Sequence, residues 1–497
     1  MKTPRNIDFY IPEVVKTAVF SLKTAGYEAY IVGGCVRDIL IGRKPKDWDL
    51  TTNATPEEIQ KVFPESFYEN KFGTVGIKNE SEEDETLKVI EVTPYRIEGE
   101  YSDNRRPDEV LFTKDIADDL QRRDFTVNAI AIDIGDGNKG HIIDLYKGQE
   151  DLASKTIKTV GDAEDRFKED GLRILRAVRL ATDLGFVIES ETYKAIEKHK
   201  DLLKNIAKER IRDEFVKIIM SDNPLIGLVS CEKLGLLKYI CLELEVSIGV
   251  TQNQAHSYDV WEHLRRTVQH AADKGFGLEI RLSALFHDIG KPKTRRVTYE
   301  TAEPTFYGHD VVGERITRKI LEDLKFSREI IEKVAKFVRW HMFFSDPELI
   351  SLSAVRRMVA NVGKDNIWDL MHIRECDRIG TGRPKENPYR LRKYKAMIEE
   401  VMHDPVSVGM LKIDGLKIME VTHETPGPKI GFVLHALLEE VMEDPKLNTT
   451  EYLEGRAAEL IKLDIKVLKE LSDKGKEVKD KAEEETLKEI RKKHNVK

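Results

Sequence analysis

The chain has 497 residues, of which 34% are charged, a length better organised as three or four compact units than around one hydrophobic core. With 81 Lys and Arg against 89 Asp and Glu the net charge is −8, which excludes a chain coated in positive charge for nucleic acid and confines any RNA surface to local patches. Cys35, Cys231, Cys241 and Cys376 lack CxxC spacing, so neither a zinc knuckle nor a disulfide framework is expected, and a reducing cytoplasm fits. The first residues carry charges where a signal peptide needs an apolar core, and no apolar run approaches the roughly 20 residues of a bilayer span, so no membrane partner is expected.

From Glu28 to about Asp144, the short β-branched runs AYIV, TVGI, LKVIEV and AIAID alternate with turns and helical patterns, which predicts a mixed sheet with helices against it. Tyr30 to Asp38 (YIVGGCVRD) runs a strand into Gly33 and Gly34 and then a helix, so backbone N–H groups can approach a triphosphate, with Arg37 adding charge. Asp47-Trp48-Asp49 is expected on a strand, where residues two apart share a face and both carboxylates can hold one pair of magnesium ions. Such ions activate an attacking hydroxyl and steady a leaving pyrophosphate during in-line transfer. Glu91, in LKVIEVTPYR, is a third candidate carboxylate. An isolated DxD is usually a solvated turn and an isolated Gly-Gly usually a chain reversal; here both fall in order within a score of residues.

After Asp151 the strand signal fades, and stretches such as EDGLRILRAVRLATDLGF repeat apolar residues every three or four positions, predicting helices throughout. Breaks near Gly249 to Ser257 and Pro384 to Pro388 divide the chain into a head (1–150), a helical neck and body (151–250), a histidine-rich metal-binding domain (251–385) and a helical tail (386–497). The Lys- and Glu-dense stretch from Leu471 reads as a solvated helix without a role.

Asp170 and Arg173 sit three apart in a helical stretch, hence on one face. CTP and ATP both present an exocyclic amine beside an unprotonated ring nitrogen, whereas UTP and GTP present a carbonyl beside a ring N–H. A carboxylate accepting from the amine and a guanidinium donating to the nitrogen would select C and A, each mismatch costing about 1–3 kcal/mol. Arg176 and Arg179 follow at the same spacing, toward the phosphates or the RNA end, while Leu172, Leu175 and Val178 face the core. Further on, His256, His263, His287-Asp288, His309, His341 and Asp377 concentrate imidazole and carboxylate in a pattern that suggests a metal box.

The motifs GGCVRD with DWDLTTNATP, RRDFTVNAIAID and EDGLRILRAVR resemble those of class II tRNA nucleotidyltransferases and their bacterial poly(A) polymerase relatives, over roughly the first half of the chain. The resemblance implies an α+β protein: a polymerase-β-like head with a mixed sheet, then all-helical neck, body and tail holding the tRNA acceptor arm. It implies CCA addition to the tRNA 3′ end from CTP and ATP with Mg2+ at Asp47 and Asp49; poly(A) synthesis or A-only addition is the alternative. Asp170 and Arg173 match the family's EDxxR motif. Arg123 becomes the expected triphosphate contact, with Asp124 positioning it and Arg122 structural. Asp103 to Pro107 (DNRRP) departs at two positions from the DGRHP common in the family's mobile loop, and Glu209-Arg210 resembles a motif that shapes the neck, with a surface ion pair the equal alternative.

The histidine segment resembles the HD phosphohydrolase superfamily. On that likeness His263, His287, Asp288 and Asp377 hold a first divalent transition ion, with His256 an alternative ligand. His309 and His341 serve a second ion or a phosphate, and Gly290-Lys291 aids phosphate binding. Phosphatase or cyclic phosphodiesterase activity is the implied chemistry. A competing organisation makes this module the working part and the head a nucleotide sensor or inactive RNA-binding module, which the intact Asp47 and Asp49 oppose.

Overall fold

The computed structural model describes residues 7–8, 10–68, 73–79, 84–98, 110–135, 139–253, 257–297, 303–342 and 350–472. His256, the Asp103 to Pro107 loop and nearly all of the charged stretch after Leu471 lie outside them. The chain forms two compact units, one of residues 1–245 with 322–326 and one of 246–321 with 327–497.

The first unit is built on an eight-stranded mixed sheet. Its strands are β1 (Ile7–Asp8), β2 (Ala29–Val32), β3 (Asp49–Thr52), β4 (Ser66–Tyr68), β5 (Val75–Lys78), β6 (Val89–Pro94), and, after a separate hairpin of β7 (Arg96–Glu98) and β8 (Val110–Phe112), β9 (Ile130–Ile134) and β10 (Lys139–Asp144). The order is β1-β10-β9-β2-β3-β6-β5-β4. Central strands covered on both faces must be apolar along their whole length, and Ala29, Ile31 and Val32 on β2 and Ile130, Ala131 and Ile132 on β9 are all fully buried. Helix α1 (Glu13–Thr24) packs on β2 and buries Val15, Val19 and Leu22. β3 pairs antiparallel with β2 and parallel with β6, so that Asp49 stands in register with Glu91.

The rest of this unit is mainly helical. Here the expectation of helices throughout needs correcting: Thr156–Ile157 pairs in parallel with Val187–Ile188, a two-residue ladder too short for an alternation pattern to betray.

The second unit is helical apart from the two-residue pair Arg296–Val297 with Pro304–Thr305. Its C-terminal helices close over a separate apolar core that includes Ile418, Val433, Leu437, Val441, Leu453 and Leu460. Two largely buried arginines tie this part together. Arg356 Nε donates to Asp404 Oδ2 at 2.7 Å and Arg357 Nε to Glu439 Oε2 at 2.9 Å.

Candidate functional site

In the first unit the strand β2 ends at Gly33, whose φ of 87° falls where a side chain is strained, and α2 (Gly34–Leu40) starts at once. A Cβ at Gly33 would come within 3.1 Å of Arg123 Nη1 and 3.4 Å of Asp49 Oδ2; at Gly34 it would lie 4.0 Å from Asp47 Oδ1. The two aspartates and Arg123 therefore close around the glycine turn. Asp47 lies in a bend ahead of β3 and not on the strand as expected, yet the alternation survives. Trp48 points into the core at 3% exposure, while Asp47 is exposed and Asp49 half-buried. Glu91, in register with Asp49 on the neighbouring parallel strand, adds its carboxylate to the same cleft.

That cleft, of about 920 Å3, is lined by Gly33, Gly34, Arg37, Asp47, Asp49, Glu91, Arg123, Asp170, Arg173, Arg176 and Arg179, among others. All eleven residues singled out for nucleotide chemistry thus share one cavity. An acid set flanking a turn without side chains suits hard divalent cations, which take oxygen ligands. Among the described residues, Asp47, Asp49 and Glu91 do not form a group of three ligand atoms within 4.8 Å of one another.

Several partners differ from the expected ones. Arg37 is spent on Asp38 Oδ1 (2.9 Å from Nε) and Asn128 Oδ1 (2.8 Å from Nη1), so it braces α2 as well as lining the cleft. Arg123 is positioned by Asp119, not by Asp124: the fully buried Asp119 accepts from Arg122 Nη2 at 2.6 Å and Arg123 Nη2 at 3.0 Å. Burial raises the Asp119 pKa, but Arg122 and Arg123 outweigh it and hold the carboxyl below its ordinary value. The spacing of Asp119 to Arg122 and Arg123, three and four along a helical turn, was the sequence signal for this residue.

Asp124 instead accepts from Arg176, at 2.7 Å from Nε and 2.5 Å from Nη2. Burial opposes its ionisation, yet Arg176 and then Arg173 bring its pKa down to about 2. A folded pKa below the unfolded one means the stabilisation is full above about pH 4 and is lost as pH falls toward 2, amounting to about 2 kcal/mol for this shift. The gap in thermal midpoint between the parent chain and Asp124→Asn should therefore narrow as the pH is lowered from 6 to 3. A gap that stays constant would count against the ion pair.

The expected Asp170 to Arg173 helix face is broken. One helix, α3 (Ala163–Glu169), stops at Asp170, which is extended (φ −140°, ψ 105°), and the next, α4 (Arg173–Leu184), starts at Arg173. The Asp170 carboxylate accepts from the Leu172 N–H at 3.0 Å, a local bond that competes with helix continuation. It also accepts from both Nη atoms of Arg210, at 2.6 and 3.2 Å. Arg173 donates to Glu169 and, at 3.1 Å, to the Arg122 carbonyl. Asp170 and Arg173 share the cleft wall, each steered by a different neighbour, and Arg210 joins them there. Arg176 and Arg179 are tethered rather than extended toward phosphates: Arg179 Nε donates to the buried Glu214 at 2.7 Å. Leu172, Leu175 and Val178 are buried, at 5%, 0% and 0% exposure.

In the second unit α5 (Val260–Asp273) carries His263, α6 (Leu278–Phe286) ends just before His287 and Asp288, α7 (His309–Asp323) opens with His309, α8 (Arg328–Trp340) ends just before His341, and α9 (Ile367–Gly380) carries Asp377. All six residues are at most 9% exposed. Asp288 stands between two imidazole pairs. Its Oδ2 lies 3.2 Å from His263 Nε2 and 3.3 Å from His287 Nε2, and its Oδ1 lies 3.2 Å from His309 Nε2 and 3.6 Å from His341 Nε2. Asp377 Oδ1 joins the first pair, 3.3 Å from His263 Nε2. Two groups of three ligand atoms result, sharing Asp288.

Nδ1 of His287, His309 and His341 lies 2.9, 2.7 and 2.7 Å from the carbonyls of Ala284, Phe306 and Val338, so each Nδ1–H is donated outward and each Nε2 faces the centre. The Nε2 atoms of His309 and His341 are only 3.3 Å apart, a separation that calls for a shared cation or proton. Burial, with the charges of His287 and His309, pushes His341 down to about 4, which keeps it in the neutral form that ligates metals. The donor set fits divalent transition ions. Arg339 pairs with Asp310, linking the helices that bear the second pair of histidines. Lys291, expected to aid phosphate binding, is engaged by the centre's own carboxylate. It is 5% exposed, with Nζ 2.6 Å from both Asp288 Oδ2 and Gln252 Oε1.

Among the described residues no helix is long and apolar enough to cross a membrane. Three family profiles match the chain: the poly A polymerase head domain over residues 29–158, a probable RNA and SrmB-binding site of polymerase A over 185–247, and the HD domain over 255–379. A CCA-adding enzyme of Limosilactobacillus reuteri (strain DSM 20016) is 43% identical over 234 residues, which cover 47% of this chain and 55% of that one. The chain thus spans about half the length of the first curated relatives it matches. The CCA-adding enzyme of Lactiplantibacillus plantarum is 30% identical over 434 residues, 86% of this chain and 92% of that one. The crystal structure of the Bacillus stearothermophilus CCA-adding enzyme in complex with CTP superimposes with a TM-score of 0.67 at 26% identity, covering 90% of this chain and 98% of that one. From this head cleft, the histidine centre and a relative matched along most of its length, the chain belongs to the family of CCA-adding enzymes.

Proposed function

We propose that the chain rebuilds the CCA end of tRNA from CTP and ATP, and that its histidine centre hydrolyses phosphate esters. One observation carries the first half: the acid set, the glycine turn and the Asp170–Arg173 wall line a single cleft. Divalent ions held by Asp47, Asp49 and Glu91 would supply the charge that activates the RNA 3′-hydroxyl and steadies the pyrophosphate. The remaining work falls to the chain. The Gly33-Gly34 turn lets backbone and triphosphate meet without a side chain between them, and Arg123, braced by Asp119, offers its guanidinium beside that turn. Asp170 accepts the base's exocyclic amine and Arg173 donates to its ring nitrogen. Arg210, bidentate on Asp170, fixes where that carboxylate stands in the cleft wall.

The test is incorporation by the full chain on tRNA trimmed of its terminal nucleotides, with each NTP alone and in pairs. Addition that stops after CCA is the expected outcome. A long A tract would identify a poly(A) polymerase, and action only on tRNA ending in CC an A-adding enzyme.

For the second half, the buried carboxylates and inward-facing imidazoles support metal-assisted attack of water on a phosphoester. Phosphate release from terminal or cyclic phosphates that requires a transition ion is the expected result after chelation and metal return. Absence of turnover with every divalent ion tried would leave the centre structural.

A further inference from the structure

Next to the histidine centre, Arg374, Arg378 and Arg383 lie on and just after the last turns of α9, the helix that carries Asp377. Arg374, one helical turn before Asp377, places Nη1 2.5 Å from Asp377 Oδ2, the oxygen turned away from His263. Arg378 follows Asp377 directly, and its Nε donates to the Lys385 carbonyl at 3.3 Å. Arg383 is folded back onto the same helix end, its N–H bonded to the Arg378 carbonyl at 3.2 Å. That return is built by Gly382, whose φ of 92° a side chain strains to adopt and whose Cβ would lie 2.9 Å from Ser257 Oγ.

The acids nearby are committed elsewhere. Glu386 pairs with Lys274 at 2.8 Å, Glu375 with Lys395, and Glu262 with Arg266 at 2.8 Å. Among the described residues neither Arg378 nor Arg383 has a carboxylate partner, and Arg383 is exposed. The negative end of α9 offsets part of their mutual repulsion. It offers no bidentate oxygen pair, which is what a guanidinium fork is shaped to bind.

We propose that Arg378 and Arg383, with Arg374 behind them, form a phosphate-binding rim that selects a nucleotide chain, carrying a second phosphate beside the one being cleaved, over a mononucleotide. This rests on the reading of the histidine centre as a hydrolase. There, water adds across one ester bond: its oxygen joins phosphorus, the P–O bond breaks, and the proton goes to the released hydroxyl. The neighbouring phosphate stays intact and would be gripped on the rim as an anion.

The experiment compares two probes on the full chain with Mn2+: an oligoribonucleotide ending in a 2′,3′-cyclic phosphate, and a nucleoside 2′,3′-cyclic monophosphate. In Arg383→Ala the ratio of kcat/KM for the oligonucleotide to that for the mononucleotide should fall about tenfold, the scale of one lost charge-assisted contact, with partial recovery in Arg383→Lys. In parallel, the salt dependence of oligonucleotide binding should lose about 0.7 in log–log slope, the contribution of one single-strand phosphate contact. An unchanged ratio with an unchanged slope overturns the rim. If neither probe is hydrolysed, the hydrolase reading fails by itself, and the slope alone decides whether the rim binds phosphate.

Discussion

Replacing Asp47 and Asp49 together with Ala should lower nucleotide incorporation into trimmed tRNA by at least about 10^3-fold, which corresponds to about 4 kcal/mol of lost transition-state stabilisation. The magnitude follows from what the pair does. Both carboxylates flank the Gly33-Gly34 turn, and with Glu91 they bring oxygen ligands to the cleft. Without them divalent charge is not held where the hydroxyl attacks and the pyrophosphate departs. Glu91→Gln should cost less, about tenfold, because a neutral oxygen still ligates at that register position. Metal-dependent phosphate release by the same double variant should persist, since the head carboxylates and the histidine centre belong to different compact units and share no residue. Loss of both activities would contradict independent sites, and incorporation retained within tenfold would remove the pair from the chemistry.

The contrast between what was legible in the sequence and what was not runs along one physical line. Features set by residue type at short range were readable. β2 and β9 are central strands and so are mostly apolar, and Asp47-Trp48-Asp49 alternates because period two is the geometry of extended chain. The six residues gathered at the histidine centre were readable because imidazole and carboxylate are the types metal chemistry needs, even though His263 and Asp377 lie on different helices. Features set by the choice of ion-pair partner were not readable. Asp124 meets Arg176, 52 residues on, in place of the adjacent Arg123, and Arg179 meets Glu214, 35 residues on. Several arginines near one acid make almost the same local pattern whichever of them is chosen, and only packing decides. The helix break at Asp170 was hidden for another reason: the apolar period runs on through Gly171 while the Asp170 side chain takes the backbone N–H of Leu172.

Asp288→Ala should abolish metal binding at the histidine centre altogether, where His309→Ala should remove only part of it. Asp288 is the one residue common to both ligand groups, Oδ2 toward His263 and His287 and Oδ1 toward His309 and His341. Its carboxyl is buried, and Lys291 and His287 hold it well below the usual carboxylate range against the cost of burial, so it is an anion whenever the protein is folded near neutral pH. Were an ion held by each group, this carboxylate would lower the repulsion between them as well as ligate each, so its loss should be felt by both. Metal content after dialysis against Mn2+ should therefore step from two ions per chain in the parent, to one in His309→Ala, to none in Asp288→Ala, with phosphate release in the last falling at least about 10^3-fold. Circular dichroism separates this from unfolding, because removing Asp288 also frees Lys291 Nζ, which keeps Gln252 Oε1 as a partner at 2.6 Å. Two ions retained in Asp288→Ala, or both lost in His309→Ala, would show that the carboxylate does not bridge.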